Sequence, residues 1–319
     1  MMIAYSLLQG LLFVAAGPLV VGLLRWLKAR LQRRQAAPVI QPYRDLAKLL
    51  RKQPVMPATA SALYRYAPIV VFACYAAPGF LAPVLYLPGE GVPSSGDLVI
   101  LVALLALARM AMGLAGMDAG APFGGLGSSR EMFLNVLTEP TLLFVAYALA
   151  LLRRTTDLSA VMNANWQAGP LGVYAEPSLL LLGLSLALLS LVEAGRLPID
   201  NPASHLELTM YGKAIHLEYG GPQLALLEWA EALRLTFVIT LLLNLFVPWL
   251  LISAENPQWL NALLVLLFPV KLMMATAILA FWESIQAKMR LRAILTPALT
   301  ALTLAVIAVM LAIAKRYML

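Results

Sequence analysis

The chain has 319 residues, 61% of them hydrophobic and only 12% charged, with a mean hydropathy of +0.83. Ordinary soluble domains carry about a quarter charged residues, so this composition excludes one and makes lipid the outer solvent. A single cysteine, Cys74, excludes an intrachain disulfide framework, a cysteine-based zinc site and an iron–sulfur cluster held by this chain alone. The two histidines, His205 and His216, eleven apart, are poor material for haem or a metal centre, and the net charge of +7 is too localised to indicate nucleic acid.

In chain order, apolar stretches long enough to cross about 30 Å of hydrocarbon fall at roughly 3–27, 64–87, 98–118, 133–152, 177–196, 231–253, 259–282 and 294–314. They predict an all-α polytopic membrane protein of about eight transmembrane helices. The first stretch has no basic residues before it and is read as a retained helix, not a signal peptide. Trp26, Trp249, Trp259 and Trp282 flank spans where interfacial aromatics belong. Between the first two spans, QPYRDLAKLLRK (41–52) sets Leu46, Leu49 and Leu50 on one stripe among Arg44, Lys48, Arg51 and Lys52, the pattern of an amphipathic interfacial helix. It suits either an anchor on anionic lipid or a docking surface. No internal repeat is visible.

Charge sets the expected orientation. The first connection carries Arg25, Lys28, Arg30, Arg33, Arg34, Arg44, Lys48, Arg51, Lys52 and Arg65. Other connections on that side add Arg130, Arg196, Lys213, Arg234, Lys288, Arg290 and Arg292, while the opposite side holds only Arg153, Arg154, Lys315 and Arg316. The positive-inside rule then puts both termini outside, on the periplasmic face of a prokaryotic cytoplasmic membrane. Loops 28–63, 119–132, 197–230 and 283–293 face the cytoplasm, and the whole chain forms one membrane domain.

Polar groups inside such a chain persist only where they are paired or used. Arg109 and Lys271 fall near the middle of spans, where a lone basic group costs ~2.5–3.5 kcal/mol on insertion scales. Each therefore calls for a partner, with Asp118, Glu139, Glu228, Glu231 and Glu283 as candidates. The connection from Glu193 to Arg234 concentrates Glu193, Asp200, Glu207, Glu218, Glu228 and Glu231 against Arg196, Lys213 and Arg234. Glu228 and Glu231 share a helical face, with Arg234 three residues on. His205 to Leu208 is expected to begin a short helix that Gly220-Gly221-Pro222 ends. The glycine-rich segment from Met117 to Glu131 has no Walker lysine and no preceding strand, so close backbone packing fits it better than a phosphate cradle.

These residues resemble the complex I subunit 1 (NuoH-type) family, shared by respiratory NADH:quinone oxidoreductases and energy-converting nickel–iron hydrogenases, including formate hydrogenlyase. The resemblance covers essentially the whole chain. Its most specific parts are Gln41, Arg44-Asp45 and Lys48-Leu49, the segment Met117–Glu131, Glu139-Pro140, and Glu193 to Pro222. Gly-Ser-Ser-Arg-Glu (127–131) and His-Leu-Glu-Leu-Thr-Met (205–210) are similar to the hydrogenase branch. Gly195, Ala203 and His205 stand where respiratory members carry acids, and Gln35-Ala36-Ala37 replaces an Arg-Gly-Pro-Gly run, which weighs against ordinary quinone chemistry.

The resemblance implies a membrane subunit that docks a soluble redox module on the cytoplasmic face, beside antiporter-like membrane subunits, and couples its turnover to proton translocation. Iron–sulfur clusters and a nickel–iron centre would then belong to partners, and this chain would bind no cofactor unless a quinone. The expected proton-relay groups are Glu139, Glu193, Glu228, Glu231, Asp118, Lys271, Arg109 and Glu283. The docking groups are Arg44, Asp45, Lys48, Arg130, Glu131, Arg196, Asp200, His205, Glu207 and Glu218. No catalytic residue and no metal ligand is assigned. The competing expectations are the quinone-site subunit of a respiratory NADH:quinone oxidoreductase and a free-standing secondary transporter.

Overall fold

A computed structural model describes residues 2–57, 60–88, 96–196, 210, 212–247, 252–253, 258–287 and 291–318. Ten α-helices form among them: α1 (Met2–Leu31), α2 (Gln41–Leu50), α3 (Ala62–Leu81), α4 (Leu98–Asp118), α5 (Pro122–Arg153), α6 (Leu158–Ala175), α7 (Pro177–Glu193), α8 (Gly221–Phe246), α9 (Gln258–Ile285) and α10 (Leu295–Met318). Two 3₁₀ segments, Gly212–Glu218 and Leu291–Ile294, precede α8 and α10. Strands β1 (Tyr86–Leu87) and β2 (Ile252–Ser253) pair in parallel.

A helix lies over each of the eight predicted stretches. Five satisfy both length and apolarity for a crossing among the described residues: Ser6–Leu31, Leu98–Asp118, Pro122–Arg153, Leu267–Ile285 and Leu295–Tyr317. α7 is apolar but only 17 residues long. α8 carries Glu228, Glu231 and Arg234, which lower its apolarity.

Local chemistry explains most boundaries. Ser61 caps α3 by accepting from Leu63 N, and Asp97 caps α4 by accepting from Val99 N at 2.7 Å. Thr156 Oγ1 donates to the other Asp97 oxygen at 2.6 Å, tying the start of α4 to the turn before α6. This hydrogen bond comes first in holding the Asp97 carboxyl below its ordinary pKa. Proline at the first helical turn opens α2, α5, α7 and α8, where its missing N–H costs nothing.

One expectation gives way and another is incomplete. Of the loop predicted over 119–132, only the residues before Pro122 leave the helix, with Gly120 at φ 65° making the turn. Its glycines serve helix packing instead: a Cβ on Gly124 would lie 2.8 Å from Gly116 O of α4. Small residues let backbones approach in this way inside membranes. Gly220-Gly221-Pro222 does follow the end of a short helix, the 3₁₀ segment closing at Glu218, but it also opens α8, which the sequence reading did not anticipate. Gly221, at φ 60°, sits against the carbonyl of Gln53, so a side chain there would meet backbone. Helix α6, between the fourth and fifth predicted spans, has no counterpart in the sequence reading; it kinks at Gly169.

Helix α8 runs through the bundle against α1, α3 and α7, and α10 packs on α7 and α5. Ala298, Ala301, Ala305 and Ala308 are all fully buried, which lets α10 come close enough for Ser185 Oγ of α7 to donate to Ala301 O at 2.7 Å. Helix α2 buries Pro42 and Leu46 and leaves Arg44 and Lys48 exposed, while of the expected apolar stripe Leu49 is half-buried and Leu50 exposed.

Candidate functional site

Polar side chains gather where α4, α5, α7 and α8 meet the segment Gly212–Glu218. They surround a cavity of ≈ 80 Å³, with a second of ≈ 30 Å³ beside it. Both exceed the roughly 10–15 Å³ that one water needs.

α4 contributes Arg109, only 2% exposed. Its Nη1 donates to Glu193 Oε1 at the end of α7, and its Nε lies 3.7 Å from Glu139 Oε1 on α5. Glu193 is as deeply buried as its partner, whereas Glu139 is 39% exposed at its side chain. The arrangement answers the cost of burying each charge alone.

α8 places Glu228, Glu231 and Arg234 at successive three-residue steps on one face, as the spacing predicts. Arg234 Nη1 lies 3.6 Å from Glu131 Oε1 of α5, and its guanidinium stands over the Tyr75 ring of α3 at 5.8 Å. Lys213 Nζ bonds Glu228 Oε1 and Glu231 Oε2 at 2.7 Å each. His216 Nε2 stands 3.4 Å from Glu231 Oε1, and His216 Nδ1 stands 3.8 Å from Glu228 Oε1. A 3₁₀ helix eclipses residues i and i+3, so Lys213 and His216 point to the same two carboxylates. Burial disfavours the Lys213 ammonium, but the Glu231 and Glu228 carboxylates outweigh it and hold the lysine above its ordinary pKa.

A third group joins α9 to the rest. Glu283, 2% exposed, accepts from Lys28 of α1 at 3.0 Å and lies 3.9 Å from Arg196, just past α7.

Of the expected relay residues, the structure therefore brings Arg109, Glu193, Glu228 and Glu231 to one chamber, with Glu139, through Arg109, and Glu283, through Arg196, at its margin. Asp118 lies elsewhere: it accepts from Ser61 N and Oγ at 2.8 Å and from Tyr64 N at 3.2 Å, capping α3. Lys271 reaches the opposite end of α8, donating to Val247 O at 2.6 Å and Asn244 Oδ1 at 3.3 Å. A cation suits a helix C-terminus, where carbonyls are left over. Neither of these Lys271 partners is one of the carboxylates proposed for it from sequence, whereas Arg109 pairs with the proposed candidate Glu139 as well as with Glu193, which was not among them.

Among the docking residues, Arg44 and Lys48 are exposed on α2, and Asp45 accepts from Gln41 Nε2 at 2.8 Å. Arg130 Nη1 donates to Met210 O at 2.8 Å, while Glu218 offers its carbonyl to Tyr64 OH at 2.7 Å. Tyr64 and Tyr219 stack with centroids 4.1 Å apart, fixing the segment before α8 to α3. Glu131 and Arg196 line the larger cavity. Asp200, His205 and Glu207 lie outside the described residues.

Sequence reasoning did not assign Lys213, His216, Arg234, Lys28 or Tyr75 to the relay. The three-residue spacing of Lys213 and His216 was a usable signal for the first pair. Nothing local marks Tyr75 or Lys28, whose partners are distant in sequence. Chemically, the chamber is a series of acids and bases that share partners, Glu139 with Glu193 at Arg109 and Glu228 with Glu231 at Lys213. Such an array can hold and pass protons where water reaches it.

The comparisons agree with this architecture. The family model described as NADH dehydrogenase matches residues 3–314. Formate hydrogenlyase subunit 4 of Escherichia coli is 32% identical over 302 residues, covering 94% of each chain. Hydrogenase-4 component C of Escherichia coli is 30% identical over 248 residues, 78% of this chain and 76% of that one. NADH-quinone oxidoreductase subunit 8 of Thermus thermophilus is 29% identical over 227 residues, covering 69% of this chain and 60% of the relative. A chain in the solved structure of the membrane-bound sulfane sulfur reductase, an archaeal respiratory membrane complex, superposes with a TM-score of 0.80 over 98% of this chain and 99% of that one. At 19% identity that likeness speaks for the fold. With the family model spanning nearly its full length and relatives in both the hydrogenase and complex I groups, this chain belongs to the NADH dehydrogenase (NuoH-type) family of membrane subunits.

Proposed function

We propose that this chain is the membrane-anchor and coupling subunit of an ion-translocating oxidoreductase of the formate hydrogenlyase or energy-converting hydrogenase type. It seats a soluble redox module, with iron–sulfur clusters and a nickel–iron centre in the partners, on its cytoplasmic face. It relays the module's turnover to proton movement beside antiporter-like subunits. The observation that carries this reading is the set of paired charges Glu139–Arg109–Glu193, Glu131–Arg234 and Glu228–Lys213–Glu231, all but the more exposed Glu139 lining one cavity. Ionised side chains in a lipid-facing bundle are costly, and function is the ordinary reason to keep them. The relatives named for formate hydrogenlyase and hydrogenase-4 give the reading its direction.

The test is turnover-driven proton uptake by vesicles bearing the assembled complex. Glu139→Gln and Glu231→Gln are each expected to weaken proton movement while the soluble module stays bound. Normal coupled activity in both variants removes them from the relay. Arg130→Ala and Glu207→Ala are expected instead to release the soluble module from isolated membranes.

One feature favours a second reading, a quinone-reducing complex. A crevice of ≈ 210 Å³ between α1, α2 and α8 is walled by Pro18, Val21, Leu46, Leu49 and Leu224, with Arg25, Asp45 and Glu228 also on its lining. An apolar slot with a polar end suits an amphipathic ring compound. Photolabelling of α2 by a quinone analogue, competed by quinone, would favour this alternative.

A further inference from the structure

His216, Glu228 and Glu231 converge without any of the roles above requiring an imidazole. Their ligating atoms, one nitrogen and two carboxylate oxygens, all lie within 4.8 Å of one another. His216 is only 8% exposed, and its Nδ1 is buried without a hydrogen bond while pointing towards Glu228. The Lys213 ammonium sits between the carboxylates as a tethered cation, 2.7 Å from each. It satisfies the acids but leaves that imidazole nitrogen unbonded. We propose that His216, Glu228 and Glu231 form a binding site for a borderline divalent metal ion of the zinc type, which enters by displacing Lys213 and locks the carboxylate pair.

The chemistry of the donor set favours such an ion. One imidazole and two carboxylates are ordinary zinc ligands, and three protein donors leave a fourth position for water. Magnesium and calcium prefer all-oxygen sets, so they gain nothing from His216. A small contraction of the cluster brings the donors within ~2.0–2.2 Å of a common centre. The neighbouring cavities supply space: Lys213, Glu228 and Glu231 line the larger, and His216 and Glu231 the smaller. The Lys213 side chain is 22% exposed, so it can withdraw without being forced into apolar packing. A divalent ion brings two charges where the ammonium brings one, and it also takes the imidazole lone pair. Bound there, it holds Glu228 and Glu231 deprotonated and fixed.

The chain suits a direct test, because its only other imidazole is His205 and its only thiol is the buried Cys74. Zinc binding to the purified, assembled complex is titrated against a chromophoric zinc indicator, comparing the unmodified chain with His216→Gln, Lys213→Met and His205→Gln. Even the outer partners of a metal ligand are worth ~10–100-fold in affinity, so His216→Gln should weaken the site at least tenfold. Lys213→Met, which removes the competitor, should tighten it about tenfold or more, and His205→Gln should leave it unchanged. Glu228→Gln serves as a second ligand variant if His216→Gln does not assemble. X-ray absorption on the zinc-loaded Lys213→Met complex should report one nitrogen and two carboxylate oxygens from protein. Equal affinity in the unmodified, His216→Gln and Lys213→Met complexes overturns the proposal, as does zinc found at Cys74 or His205. Binding is read without turnover, so its failure is distinct from failure of the coupling role.

Discussion

Arg109→Met is the most informative single perturbation of this bundle. Arg109 and Glu193 are each about 2% exposed at the side chain, and their contact joins α4 to α7. Methionine keeps most of the arginine's length and packing but removes its charge. Glu193 is then left buried without its contact partner, and the Arg234 guanidinium lining the same cavity is a remaining positive charge there. Breaking a buried pair by removing one partner costs ~3–5 kcal/mol, because the survivor loses the contact that offset its burial. Glu193→Gln should cost less, since Arg109 retains Glu139 at 3.7 Å and Glu139 is 39% exposed. The double variant should cost less than the sum of the singles, since it leaves neither charge stranded. The assay is a double-mutant cycle on unfolding free energy in lipid–detergent micelles, from denaturant titration of helical signal. A coupling energy of ~1–3 kcal/mol is expected for groups in direct contact. Additive singles, or an Arg109→Met cost below ~1 kcal/mol, would refute the buried-pair reasoning, because neither outcome is compatible with two desolvated charges relying on each other.

Further outcomes follow from local geometry. Gly124→Ala should destabilise by ~1–3 kcal/mol through overpacking, because the added methyl meets the Gly116 carbonyl; Gly125→Ala, with nothing within 4 Å of its Cβ, should be neutral or gain ~0.5–1 kcal/mol. Thermal midpoints of the two variants decide this directly. Asp97 has its carboxyl held below 3.8, first by the Thr156 hydrogen bond, so its stabilising contribution is present above pH 3.8 and is lost as pH falls through the folded value. Asp97→Asn should therefore flatten part of the acid limb of a stability–pH profile, and unchanged steepness below pH 3.8 would count against the cap. Tyr219→Phe keeps the stack on Tyr64 but loses the bond from its hydroxyl to Tyr64 O at 3.1 Å, so it should cost about 1 kcal/mol, while Tyr219→Ala, which also loses the stack, should cost clearly more.

Hydropathy located helices α1, α3, α4, α7, α9 and α10 closely, because a spanning stretch has nothing but its side chains to advertise its environment. It failed where polar or small residues were used inside the bundle. Gly124 and Gly127 looked like loop because glycine has low intrinsic helix preference in water, yet their value here is close approach to α4 and to Ala214 and Ile215. α8 begins at Gly221, ten residues before the predicted span, because Glu228 and Glu231 depress its local hydropathy although both are held in ion pairs with Lys213. The same residues were legible as a functional face from their spacing. Partner identity was not: Arg109 and Glu193 are 84 positions apart, and only the packing of α4 on its neighbours brings them together. Lys271 drew attention as intramembrane charge and Asp118 as a candidate partner for one, and both touch helix termini, where backbone groups supply the partner.

The chamber's wiring bears on how a distant event could be felt there. Lys213 and His216 belong to a 3₁₀ segment of seven residues, not to a spanning helix, and that segment packs on α5 and α4. A 3₁₀ turn has poorer hydrogen-bond geometry than an α-helix and is a common place for strain or adjustment. Whatever repositions it changes the cation shared by Glu228 and Glu231, and so changes which of the two holds a proton most readily. Arg234, three residues further along the same face, shares the smaller cavity with Glu231 and Glu131, so it feels that change first. Arg109 and Glu193 line the larger cavity with Arg234, Lys213, Glu228 and Glu231 and share its interior with them. In the coupling role proposed, a rearrangement of the inner connection under the soluble module would therefore enter at Lys213 and leave at Glu139, the most exposed acid of the series. The two ends of that path are its more exposed groups and the Arg109–Glu193 pair is its most buried step, with the shared cations setting each step.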